Sequence, residues 1–97
     1  MLFRSFKGLV WGACLIAKNR LLASLPQAAA EALDRVQSHV APLEHPELRD
    51  AGILDTAATY YERRADIAKA LNQPAALQQA TQRAAALRAR IAEIEGT

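Results

Sequence analysis

Apolar positions recur along this chain at helical rather than strand spacing. In the C-terminal half, Ile53, Ala57, Tyr60, Ile67 and Leu71 fall on one line of alternating three- and four-residue steps, with Arg64 filling the gap between Tyr60 and Ile67. After Asn72-Gln73-Pro74 a second such line runs Leu77, Ala80, Ala84, Leu87, Ile91, Ile94. Two seams with a ~3.5-residue period, joined by a very short connector, predict an antiparallel coiled-coil-like helical hairpin over 47–97. Alanine at 57, 80 and 84 lets two backbones approach closely. Asn72 is read as the cap of the last helix, Pro74 sits in its first turn and Gly96 is its stop.

The first 24 residues follow a looser pattern. At ~100° per residue, Leu2, Phe3, Phe6, Leu9, Val10, Ala13, Ile16, Ala17 and Leu21 share one broad face. Arg4, Ser5, Lys7, Gly8, Gly12, Lys18 and Asn19 share the other. Trp11 and Leu15 intrude on the polar side, and Arg20 on the apolar side. This predicts an amphipathic N-terminal helical arm over 1–24. Only ten uncharged residues separate Lys7 from Lys18, far short of the ~20 that cross a bilayer.

Between arm and hairpin, Ser24-Leu25-Pro26-Gln27 reads as a helix start, with a capping hydroxyl and a proline in the first turn. Ala29, Leu33, Val36 and Val40 then carry a short helix over 25–41. Pro42 ends it, and the segment 42–46, bounded by Pro42 and Pro46, reads as a hinge. The third helix is expected to begin near Pro46, with Gly52 as a weak point inside it.

Composition strengthens the all-α reading. Among 97 residues there are 22 alanines against 4 glycines and 4 prolines, and only 5% are aromatic. The chain is too short for a doubly wound sheet or a (β/α)₈ barrel. Charge is uneven. Residues 1–24 hold four bases and no acid, 25–55 hold six acids and two bases, and the remainder is mildly basic, for a net charge of +2. No basic face is sustained along the chain, which argues against nucleic acid. The basic start of the chain suits anionic lipid, or an acidic surface on a partner or on the chain itself.

Candidate chemistry is sparse. Cys14 stands alone in an apolar run, so it reads as a small buried hydrophobe. The single cysteine and the lack of a secretory signal favour an intracellular or virion-associated setting over secretion. His39 and His45 lie six apart across Pro42, which is not a metal-ligand spacing. Ser38 sits in no glycine-flanked elbow, the glycines form no phosphate loop, and Glu93 and Glu95 lie on different sides of a helix. These absences lead us to expect no catalytic residues, no cofactor, no metal and no small-molecule substrate. Tyr60 falls on the seam and is assigned to the core; Tyr61 is assigned to the rim. Arg64, also on the seam, must snorkel or pair with an acid. Arg83, Arg88 and Arg90 read as solvated charges at the hairpin edge.

The expected function is therefore that of a non-enzymatic structural or adaptor subunit. Its partner would be another protein or a second copy, bound through Phe3, Phe6, Leu9, Val10, Trp11 and Ile16 of the N-terminal helix. Gly8 and Gly12 add a small-xxx-small pair on that helix. The alternative is a peripheral membrane-surface protein held by the same basic helix.

Overall fold

A computed structural model of the chain describes residues 2–96, with side chains from Ser5 onward. The described residues form four α-helices: α1 (Leu2–Leu22), α2 (Pro26–Asp34), α3 (Ala51–Ala70) and α4 (Pro74–Gly96). Two 3₁₀ turns, Gln37–His39 and Ala41–Glu44, lie between α2 and α3. The fold is all-α. Its most extensive contact is the α3–α4 hairpin, and α1 packs against α2 and α3.

The hairpin seam runs from the α3 start to the α4 end. Ile53, Ala57, Tyr60, Ile67, Ala80, Ala84, Leu87 and Ile91 are buried, while Leu71, Leu77 and Ile94 are half-buried. Arg64 stays on the seam by pairing: its guanidinium donates to Tyr60 Oη at 3.0 Å and to Asp34 at 2.6 Å. The edge arginines are less solvated than their spacing suggests. Arg88 bridges Asp55 and Glu62 on α3, the latter at 2.8 Å. Arg90 donates to the carbonyls of Glu44, His45 and Leu48 at 3.0, 2.7 and 3.3 Å. Those carbonyls belong to the connector ahead of α3, so Arg90 fastens it to α4.

Helix α1 does not stand apart from the rest of the chain. Val10, Ala13, Cys14 and Ala17 join Ala29, Leu33, Val40, Leu43, Leu54 and Ala58 in one continuous core. The inward face of α1 is made of small residues, which is what lets it lie close to α2 and α3.

The boundaries differ from the pattern reading for local reasons. Ala29, Leu33, Val36 and Val40 are all buried, but α2 stops at Asp34. Val36 turns out of the helix at φ −111°, ψ 5°, and Val40 and Leu43 reach the core through successive i→i+3 bonds. Those bonds are His39 N–H to Val36 O, Val40 N–H to Gln37 O and Leu43 N–H to Val40 O, at 2.9, 3.2 and 2.8 Å. A run of 3₁₀ turns delivers a side chain inward about every third residue, so it mimics helical periodicity. Pro42 sits inside the second 3₁₀ turn, not at a free hinge. The true break is 45–50, and α3 begins at Ala51 rather than near Pro46. Asp50 is its N-cap, accepting from Gly52 and Ile53 N–H at 2.9 and 3.1 Å. Gly52 lies in that first turn, where a Cβ would stand 3.2 Å from Asp50 Oδ1 and 3.3 Å from Lys7 Nζ.

Ser24 and Asn72 close helices rather than open them. Both are left-handed, at φ 61° and 55°. Leu25 N–H reaches back to Arg20 O at 2.8 Å and Ser24 N–H to Leu21 O at 3.0 Å; Gln73 to Ala68 and Asn72 to Lys69 repeat the pattern at 2.8 and 3.3 Å. These are Schellman caps, in which the left-handed position is usually glycine. Asparagine tolerates that conformation better than serine does. Ser24→Gly is therefore expected to stabilise the chain by about 0.5–1 kcal/mol. Urea melts in which Ser24→Gly instead lowers the midpoint would contradict the left-handed cap.

Candidate interaction surface

The helical period divides α1 into two faces. Val10, Ala13, Cys14 and Ala17 point into the core. Leu9, Trp11, Leu15 and Ile16 point to solvent and are 52%, 42%, 48% and 48% exposed. Leu22 and, in the turn that follows, Leu25 extend the outward set. Among the described residues, all the large hydrophobic side chains classed as exposed lie on α1 or in this turn. Gly8 and Gly12 lie among them, and a Cβ built at either meets nothing within 4 Å. Mid-helix glycine costs roughly 0.8–1 kcal/mol relative to alanine, and neither glycine is required by crowding within this chain.

Lys7 and Lys18 border one edge of this face, where Asp55 of α3 lies beside Lys7. Lys18 is exposed and Lys7 half-exposed, and neither forms an ion pair among the described residues. Arg20 is held differently: its guanidinium donates to Ala28 O at 2.7 Å, tying the end of α1 to α2. Beside Lys7 and Trp11 a shallow hollow of about 370 Å³ opens toward Gly52, Asp55 and Thr56 of α3.

The residues expected to bind a partner thus separate. Leu9, Trp11 and Ile16 are outward. Val10 is fully buried and is core. Phe6 is half-buried, with its ring stacked on His39 at 4.8 Å between centroids. The Phe3 side chain lies outside the described residues. Leu15 and Leu22 belong with the outward set and are absent from the expected one. Their signal was present in the pattern: Leu15 and Trp11 are the residues that intrude on the polar side. The broad apolar arc is largely the buried face, and the intruders mark the free one.

Elsewhere several polar groups engage one another, although Arg63 Nε is buried without a hydrogen-bond partner. Across the groove between the 3₁₀ turns and α4, Tyr61 Oη donates to Glu44 at 2.6 Å and accepts from Arg83 at 3.0 Å. Burial and the Glu44 carboxylate push the Tyr61 hydroxyl up to about 12, with Arg83 opposing. His45 Nδ1 accepts from Glu47 N–H at 3.2 Å, and His39 faces Phe6. Among the described residues no group of three His, Cys, Asp or Glu converges as a metal site would, and no helix is long and apolar enough to cross a membrane. The chain matches no known protein family, and neither a curated protein nor a solved structure is similar to it.

Cys14 faces inward, 2% exposed. Burial pushes its thiol from 9.0 up to about 11, against a smaller opposing pull from Arg63. At neutral pH it is a protonated, poor nucleophile. Between pH 9 and 11 the unfolded chain gives up this proton while the folded chain keeps it. Stability is thus full below pH 9 and falls as pH rises toward 11. Tyr61 adds a loss of the same sign between pH 10 and 12. Urea melts at rising alkaline pH are expected to show this decline, and Cys14→Ala is expected to flatten its lower part. An unchanged slope in Cys14→Ala would place the thiol in water.

Proposed function

We propose that the chain is a non-enzymatic structural or adaptor subunit that joins a larger protein assembly through the outer face of α1. One observation carries this reading. The large apolar side chains left exposed are gathered on one helix and the turn after it, whereas the exposed faces of α2, α3 and α4 are alanine, glutamine and charge. Apolar surface left in water forgoes ~25 cal/mol for each Å² that a partner would cover. Contiguous exposed apolar patches on small domains mark binding sites, whereas single exposed leucines do not. The rigid setting supports the reading further: the inward face of α1 belongs to the core, so the outer face is presented without ordering a free segment.

A second reading has its own support. Trp11, with Lys7 and Lys18 near it and no acid anywhere on α1, suits the headgroup region of an anionic membrane. On that reading vesicle binding is salt-sensitive and rests on the lysines.

Without its partner the chain is expected to bind the apolar dye ANS while fully folded, and to lose solubility as salt screens the cations. The double variant Leu15→Glu, Ile16→Glu should bind no dye and stay soluble, with an unchanged circular dichroism spectrum and melting temperature. A native chain that binds no dye and stays monodisperse in high salt contradicts the proposal. So does a double variant that unfolds, because these side chains would then be core.

A further inference from the structure

We infer that the chain has a second binding site: the cleft that α2, the 3₁₀ turns and α4 leave over α3 takes an extended, uncharged peptide segment of a partner protein. No residue of α1 lines this cleft, so the inference goes beyond the α1 docking face and does not rest on it.

The form of the occupant follows from size. The cleft holds about 810 Å³. Its floor follows α3 from Tyr60 to Leu71, roughly 16 Å at ~1.5 Å per residue. That leaves a cross-section of about 50 Å², whereas a helix ~10 Å across fills ~80 Å². An extended chain is thinner, and about five residues at ~3.3 Å each match the length. Val40, Ile67, Ala68 and Ala80 are buried beneath the cleft, so side chains turned down into it are small or aliphatic.

The chemistry follows from what the walls leave unbonded. Gln37 of the first 3₁₀ turn stands on one wall, and Gln79 and Gln82 of α4 stand on the other. Among the described residues no hydrogen bond engages any of these carboxamides. Each offers both donors and an acceptor, the complement of a peptide bond. In a helix the backbone groups bond to one another, but in an extended segment they face outward and are free to pair. Tyr60 adds a further donor. Its hydroxyl accepts from Arg64 Nε at 3.0 Å, yet its own proton finds no acceptor among the described residues, and Tyr60 is only 3% exposed. A backbone carbonyl over Tyr60 supplies that acceptor. Charge calls for no ion. The charged residues of the cleft are Glu44, Arg64 and Arg83; Arg64 is matched by Asp34 at 2.6 Å, and Arg83 by Glu44 at 3.6 Å. A charged ligand has to displace one of these partners, whereas a neutral segment does not.

The full isotope-labelled chain is titrated by NMR with three probes: acetyl-Ala-Leu-Ala-Leu-Ala-amide, the same peptide N-methylated at alternate residues, and decanoate. The first is expected to shift the side-chain amide signals of Gln37, Gln79 and Gln82 saturably at millimolar concentration. N-methylation should weaken binding about tenfold, because it deletes backbone donors. The double variant Gln79→Ala, Gln82→Ala should weaken it about fivefold and melt as the wild type does, since both side chains are exposed. Tyr60→Phe should weaken it several-fold; should that variant unfold, the glutamine pair decides. Leu15→Glu on α1 should leave it unchanged. Equal binding of the N-methylated peptide, or indifference to loss of the glutamine pair, overturns the inference. So does decanoate alone shifting these signals, which marks a site for an amphipathic anion. Binding that Leu15→Glu abolishes also overturns it, and assigns the peptide to the α1 face instead.

Discussion

The structure depends on one helix being covered on nearly every side. From Ile53 to Tyr60, α3 is buried at every position except Asp55, which is half-buried and paired with Arg88. A helix in that position has neighbours all round, and side chains must be short wherever two helices come close. Thr56, Ala57, Ala58 and Thr59 supply that shortness. The buried Thr56 hydroxyl donates a hydrogen bond to Gly52 O at 3.2 Å, so it leaves no donor stranded. With α4 on one side and α1, α2 and the 3₁₀ turns against the rest of its surface, α3 is the element through which the others are connected.

That arrangement explains the character of α1. Its inner face must be small to lie against α2 and α3, hence Val10, Ala13, Cys14 and Ala17. The larger residues of the helix are left for the outside or the edges. In an isolated domain this is a costly distribution, since Leu15 and Ile16 would stabilise more if buried. It makes physical sense where the outer face is covered in its turn. The arginines of α4 serve the opposite end of the problem. Arg90 holds the carbonyls of 44–48 and Arg88 spans two acids of α3, so the one irregular connector is fastened without a hydrophobic contact of its own.

The hairpin was legible because a seam of small and branched residues at 3.5-residue steps has few other solutions. Three features were not, each for a definable reason. The tight 3₁₀ turns bury Val36 and Val40 at helical spacing, so both look like a continuation of α2. Ser24 and Asn72 stand before prolines, where a cap for the next helix and a left-handed stop for the last have the same residue preferences. On α1 periodicity alone does not separate the core face from the free one, because the core claims much of the apolar arc. Val10 fell on the wrong side of that division. Trp11 and Leu15, apolar where the helix should be polar, were the informative positions.

A two-faced α1, packed into the core on one side and free on the other, is the claim on which the proposed function rests. Amide hydrogen exchange followed residue by residue tests it most directly. If the inner face is core, the amides from Val10 to Ala17 exchange as slowly as those of α3 around Leu54, because both open only when the whole domain unfolds. If α1 exchanges orders of magnitude faster while α3 and α4 stay protected, α1 is a detachable arm and the division into an inner and an outer face is wrong.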